Sequence, residues 1–143
     1  MTVQQLSVFV ENKSGRMAEI TAAVAEGNID IRALSIADTT DFGILRLIVD
    51  RPQEAEDYLK GRGMTVSLTN VIAVRIEDRP GGFAEAIRVL ANEGIDVEYM
   101  YAFVCRQEGY ACVIVRVNNN EKAVQILKDN GIGILTQEEI INM

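Results

Sequence analysis

Residues 11–31 read ENKSGRMAEITAAVAEGNIDI, and residues 77–97 read EDRPGGFAEAIRVLANEGIDV. The second stretch repeats the first at a spacing of 66. Glu11, Gly15, Ala18, Glu19, Ala25, Ile29 and Asp30 return as Glu77, Gly81, Ala84, Glu85, Ala91, Ile95 and Asp96. The match extends outward. Gly43, Ile48 and Val49 return as Gly109, Ile114 and Val115, and at a second offset AEDYLKGRGM matches AVQILKDNGI. A chain of 143 residues with such an internal match is two copies of one small unit, residues 1–70 and 71–143, each near the lower limit for an independent core.

The hydrophobic period switches in the same order in both copies. QLSVFV alternates apolar and polar residues, as a strand with one buried face must. From Met17 the apolar positions Ile20, Ala23 and Val24 follow helical spacing, and Gly27 is a helix stop. IDIRALSIA and DFGILRLIV read as two further strands, joined by a hairpin at TTDFG. Pro52 opens a second helix, since a first helical position needs no N–H. MTVSLTNVI carries a fourth strand straight into the second copy, where VIAVRIE, FAEAIRVLANE, IDVEYMYAFV, GYACVIVRV, EKAVQILKDN and IGILT repeat the order. The fold class is therefore α+β: two ferredoxin-like βαββαβ repeats, expected side by side as one continuous antiparallel sheet with its helices on one face.

Composition removes several functions. Nearly half the residues are apolar and the net charge is −7, so phosphate backbones and anionic lipid are repelled and neither nucleic acid nor membrane is an expected partner. No apolar run reaches the ~20 residues of a bilayer span, and the N-terminus lacks a leader pattern, which makes the cytoplasm the expected location. There is no histidine, the commonest general base and transition-metal ligand. Cys105 and Cys112 match no metal spacing, so no metal or other cofactor is expected. They read as two reduced thiols, with a cross-strand disulfide as the alternative. Glu11, Glu19 and Lys13 could be cast as acid, base and cation. Duplication at Glu77 and Glu85 is better explained by solvent-facing helix positions and strand ends, and no catalytic residue is expected.

The informative element is the turn between the first strand and first helix of each copy. A glycine turn feeding a helix leaves the first backbone N–H groups without partners, and with the helix dipole these attract a carboxylate or phosphate. Gly15, Gly81 and Gly82 allow a ligand close to the backbone. Asn12 and Asp78 can cap the helix or hold an amine.

The run from Asp78 to Val97 resembles the ACT domain, a small-molecule-binding regulatory module. The second copy carries Asp78, Pro80, Gly81, Leu90, Gly94, Ile95, Asp96 and Val97 at the positions of that pattern. The first carries Asn12, Gly15, Ile29, Asp30 and Ile31, but has Ser14 for the proline and Asn28 for the second glycine. The resemblance covers nearly the whole chain and is similar to stand-alone bacterial tandem ACT proteins. It implies a non-catalytic, amino-acid-binding regulator. ACT domains often pair through their second strands, here residues 29–38 with 95–104, and hold the ligand between the glycine loop of one and the second strand of the other. The implied ligand-binding residues are Asn12, Lys13, Ser14, Gly15, Arg16, Met17, Ile36, Ala37 and Asp38 in the first copy. In the second they are Asp78, Arg79, Pro80, Gly81, Gly82, Phe83, Tyr99, Met100 and Tyr101. A ligand-independent regulatory subunit of an amino-acid or organic-acid metabolic enzyme is the alternative.

Assembly is the last expectation. Leu45, Leu47 and Val49, and their counterparts Ala111, Val113 and Val115, are expected to face the helices. The opposite face then carries Phe9, Ile44, Ile48, Tyr110 and Ile114, and a homodimer is expected to cover it.

Overall fold

The computed structural model describes residues 1–38 and 41–143. The chain divides into an N-terminal unit, Gln4–Thr69, and a C-terminal unit, Asn70–Met143 together with Met1–Val3. The turn expected at TTDFG includes Thr39 and Thr40 and so lies partly outside the described residues.

In the N-terminal unit β1 (Val3–Glu11) leads to α1 (Arg16–Glu26), β2 (Ile31–Asp38), β3 (Phe42–Val49) and α2 (Pro52–Gly61). The strand β4 (Val66–Glu77) then begins, and its leading residues are the fourth strand of this unit. The order is β2-β3-β1-β4. The helices form where sequence spacing puts them. Ile20, Ala23 and Val24 are the buried residues of α1, Gly27 is its C-cap, and Pro52 stands in the first turn of α2. Ile20, Ala23 and Val24 pack with Ala55 and Leu59 against Leu6, Val8, Leu45, Leu47 and Val49 of the sheet. Full burial of a leucine such as Leu59 contributes about 1.5–3 kcal/mol.

The C-terminal unit repeats the plan with the rest of β4, α3 (Gly82–Asn92), β5 (Val97–Phe103), β6 (Tyr110–Val117), α4 (Asn120–Asp129) and β7 (Gly133–Leu135). Its strand order is β5-β6-β4-β7. Ala86, Val89, Leu90, Ala123, Ile126 and Leu127 of the helices pack on Ile72, Val74, Val113 and Val115. A short helix α5 (Gln137–Ile141) follows, with no counterpart among the described residues of the first copy. It is held by a capping box in which the Thr136 side chain accepts from the Glu139 N–H and Glu139 accepts from the Thr136 N–H. That satisfies two N–H groups at once.

The repeat holds hydrogen bond by hydrogen bond. Ile29 N–H donates to the Val24 carbonyl, as Ile95 does to Leu90; Met64 donates to Leu59, as Ile132 does to Leu127. Asp30 N–H donates to the Asp50 carboxylate, and Asp96 N–H to the Asn118 side chain. Asn28 and Gly94 both take positive φ, 54° and 72°, so asparagine does here what glycine does in the second copy.

The register corrects one alignment. Val10 faces Gly43 and Ile76 faces Ala111, so Gly43 corresponds to Ala111 and not to Gly109. The spacing is 66 up to β2 and β5 and becomes 68 from β3 and β6 onward. Two extra residues therefore lie in the hairpin between β5 and β6. Shared glycines and β-branched residues imitate a match at 66 in strands of alternating pattern, which is how the shift escapes a sequence comparison.

Two further expectations change. Cys105 and Cys112 are joined as a disulfide, with their Cα atoms 5.2 Å apart, because the chain turning back beyond β5 brings Cys105 beside Cys112 at the end of the β5–β6 ladder. The sheet face away from the helices is also less bare than its sequence implied. Leu45, Leu47, Val49, Val113 and Val115 do face the helices and Ala111 packs at the margin. On the other face, however, Ile48 and Ile114 are completely buried. Leu135, Ala73 and Ile114 lie side by side there across β7, β4 and β6. What remains exposed is Phe9, stacked on Phe42 at 5.0 Å between ring centroids.

Candidate functional site

The two glycine loops have one geometry. Gly15 caps α1 at φ 81°, ψ −7°, and Gly81 caps α3 at φ 86°, ψ −12°. This left-handed region costs an L-residue roughly 1–2 kcal/mol. Each loop begins with an N–H tied to the neighbouring hairpin: Asn12 donates to the Asp41 carbonyl at 3.2 Å, Asp78 to the Gly109 carbonyl at 2.9 Å. A glycine N-cap offers no side-chain acceptor, in contrast to Asn119, which caps α4 through its side chain. Neither Asn12 nor Asp78 is the N-cap, so the capping role considered for them passes to the glycines.

Charge around the loops is arranged alike by different means. In the N-terminal unit Arg16, on α1, pairs with Glu19 at 2.8 Å and Glu11 at 3.9 Å. In the C-terminal unit Arg79, in the loop itself, pairs with Glu77 and Glu85. The duplicated glutamates therefore each flank an arginine, but the arginine has moved by three positions. The Glu77 hydrogen bond raises the Arg79 guanidinium above its ordinary range, and Lys13, by hydrogen bond and charge, lowers the Glu11 carboxyl below its own. Arginine-paired carboxylates at a solvent-facing loop are not an acid–base pair.

Between each loop and the edge strand of its unit lies a cavity. In the N-terminal unit it measures about 230 Å³ and is lined by Val10, Glu11, Asn12, Lys13, Arg16, Met17, Ile36, Asp38 and Gly43. In the C-terminal unit it measures about 460 Å³ and is lined by Ile76, Glu77, Asp78, Arg79, Phe83, Met100, Tyr101, Ala102, Ala111 and Val113. Of the expected site residues, Asn12, Lys13, Arg16, Met17, Ile36 and Asp38 are brought together in the first cavity, and Asp78, Arg79, Phe83, Met100 and Tyr101 in the second. Ser14, Gly15, Ala37, Pro80, Gly81 and Tyr99 are not among the lining residues. Gly82 borders a different, polar cavity of about 250 Å³ behind the loop.

Met100 and Ala102 pair with Val115 and Val113, on the helix side, whereas Tyr99 pairs with Arg116 and Tyr101 with Ile114. Tyr101 still borders the cavity because it stands between Met100 and Ala102, whereas Tyr99 lies further along the strand. Ala102, Ala111 and Val113 were missed because small apolar strand residues carry no signal of a site. The period of two in β5 was the available clue for Ala102.

Gly82 has a packing role. A Cβ there would overlap the Glu77 carbonyl oxygen, while one at Gly81, the residue before it, would meet nothing closer than 3.9 Å. The first copy has Arg16 at the position of Gly82, so the second loop is folded more tightly against its strand.

β2 and β5 are edge strands of their units. β2 carries its ladder to β3, and β5 to β6; among the described residues neither has a second ladder. Leu34 and Ile36 on β2, and Met100 and the following Val104, remain exposed.

The family follows from these features. The model of the ACT domain pair family matches residues 1–143, and the chain belongs to that family. Protein BT0572 from Bacteroides thetaiotaomicron is 38% identical, with a TM-score of 0.93 over 100% of this chain and 98% of that one. The regulatory subunit of aspartate kinase from Thermus thermophilus shares the fold at 20% identity and a TM-score of 0.65, over 88% and 91% of the two chains. Its counterpart from Thermus flavus does so at 19% identity and a TM-score of 0.63, over 87% and 88%. No curated protein matches in sequence. ACT domains are typically regulatory and not catalytic. Among the described residues no helix is long and apolar enough to cross a membrane, and no cluster of side chains suits a metal ion.

Proposed function

We propose that the protein is a non-catalytic sensor that binds an amino acid against its glycine loops, principally the C-terminal one. The observation that carries this reading is the cavity between Asp78–Phe83 and β5. It brings together the Arg79 guanidinium, suited to a carboxylate, the Asp78 side chain, suited to an ammonium, and Phe83, Met100 and Ala102, suited to an apolar side chain. An amino acid with a medium or large apolar side chain fits that chemistry. The N-terminal cavity has half the volume and presents Lys13, Arg16 and Asp38, a wall suited to a smaller or more polar ligand. A ligand of about ten heavy atoms binds such a site in roughly the micromolar to millimolar range.

The exposed apolar edges of β2 and β5 support pairing between copies of the chain, since an uncovered edge with Leu34, Ile36 and Met100 is a template for another strand. A homodimer joined there would close the cavities on their open side. Light scattering of a monomer at tens of micromolar would exclude it. A thermal-shift screen of the twenty amino acids tests the binding reading. Stabilisation by leucine-, methionine- or phenylalanine-like ligands supports it, because a ligand that binds only the folded state raises the melting temperature. No stabilisation by any amino acid at millimolar concentration points instead to a ligand-independent regulatory subunit.

A further inference from the structure

We propose that Cys105 and Cys112 form a redox-modification site that sets the geometry of the C-terminal glycine loop. They are the only cysteines of the chain, and they sit on the one hairpin that is longer in the second copy than in the first. The β5–β6 ladder ends at the pair Phe103 and Cys112. Everything from Val104 to Gly109 lies beyond it, and the disulfide is the covalent link that closes this segment.

Two groups in the closed segment hold the ligand loop. The Gly109 carbonyl accepts the Asp78 N–H at 2.9 Å. The Gln107 side chain accepts from Arg75 at 2.7 Å, and Arg75 lies opposite Cys112 in the β4–β6 ladder, three residues before Asp78. Asp78 and Arg79 line the cavity, as does Ala111, next to Cys112. Opening the disulfide frees the segment, loosens the Gly109 carbonyl and so releases the first N–H of the loop. The N-terminal loop, held by the shorter hairpin through Asp41, has no such control.

The chemistry is a two-electron exchange with a dithiol. Cys112 is almost fully buried and Cys105 only partly so, which makes the Cys105 sulfur the one open to attack. The dithiol's thiolate bonds to it, and the Cys112 sulfur leaves and takes up a proton. The second thiol of the dithiol then displaces the Cys105 sulfur, giving two protein thiols and an oxidised, cyclic dithiol.

The consequence for ligand rests on the amino-acid site proposed above; the consequence for the loop does not. Amide hydrogen exchange is followed on the whole protein, air-oxidised or reduced with dithiothreitol, and on Cys105→Ser. Reduction is expected to speed exchange of the Asp78 amide and of residues 104–110 by roughly ten- to a hundredfold, the scale of a short covalent loop closure, and to leave Asn12 unchanged. Cys105→Ser is expected to exchange rapidly whether or not reductant is present. An Asp78 amide indifferent to both reduction and substitution overturns the proposal. So do free thiols persisting in the air-oxidised protein. Calorimetric titration with leucine is expected to show affinity reduced by about tenfold on reduction. Absence of leucine, methionine and phenylalanine binding in both states sinks the amino-acid site and the ligand consequence, while the exchange experiment still decides the switch.

Discussion

The two loops begin from nearly the same sequence and end beside different cavities. Both use a left-handed glycine, both anchor their first N–H on a hairpin carbonyl, and both are flanked by paired glutamates. They diverge at single residues. Gly82 lets the second loop fold tightly, and Phe83, Met100 and Ala102 give it an apolar wall. Arg16 in the place of Gly82, together with Lys13 and Asp38, fills and charges the first. Duplication preserved the backbone, where each hydrogen bond constrains φ and ψ, and released the side chains that face the cavity.

The cores are where the two copies should behave alike. Leu59 and Leu127 occupy equivalent, fully buried positions, and alanine at either is expected to cost about 2–5 kcal/mol in urea denaturation. A twofold disparity would show that the cores have diverged as the loops have. Gly82→Ala is the next largest effect: about 1–3 kcal/mol, because the added methyl forces the backbone off Glu77, with loss of ligand at the C-terminal site. The mirror change Arg16→Gly is expected to cost no more than about 1 kcal/mol, and an equal loss would erase the contrast between the loops. Thr136→Ala removes the α5 capping box and is expected to cost about 1 kcal/mol, seen as early fraying of a helix that only the second copy has.

The smallest effect is electrostatic. Lys13 holds the Glu11 carboxyl below its ordinary range, so the folded state binds that proton less readily than the unfolded chain does. The contribution is present above the unfolded carboxylate range and is lost as pH falls through the folded value. Both groups are exposed, so Lys13→Met is expected to flatten the acid limb of the melting-temperature profile only slightly, and high salt to abolish the difference.

The order βαββαβ, twice, was legible because the period changes from 2 to 3.6 and back at the same places in both copies, with Gly27 and Pro52 marking helix ends. The loops were legible because glycine before a helix has a backbone meaning. The two-residue hairpin insertion was not, since strand residues match by type at several offsets. Helix α5 was missed although T-Q-E-E at 136–139 carries its capping box. Ile48 and Ile114 are completely buried, although each falls on the strand face that alternation leaves to solvent, and a local pattern does not record burial on that face. Of the residues lining the C-terminal cavity, the loop residues were expected and the edge-strand alanine Ala102 was not: a small side chain marks a cavity only once its neighbours are placed.

The C-terminal loop, proposed as the principal amino-acid site, differs from its counterpart at a position that can be changed in both copies. Phe83 and Met17 are equivalent, and both are substantially exposed, at 40% and 36%, so glutamate at either leaves the cores intact. Calorimetric titration of the oxidised protein with leucine, methionine and phenylalanine tests that proposal directly. Saturable binding of at least one of them that disappears in Phe83→Glu and survives in Met17→Glu is the predicted result. Binding lost in Met17→Glu and retained in Phe83→Glu, or no binding at all, would contradict it.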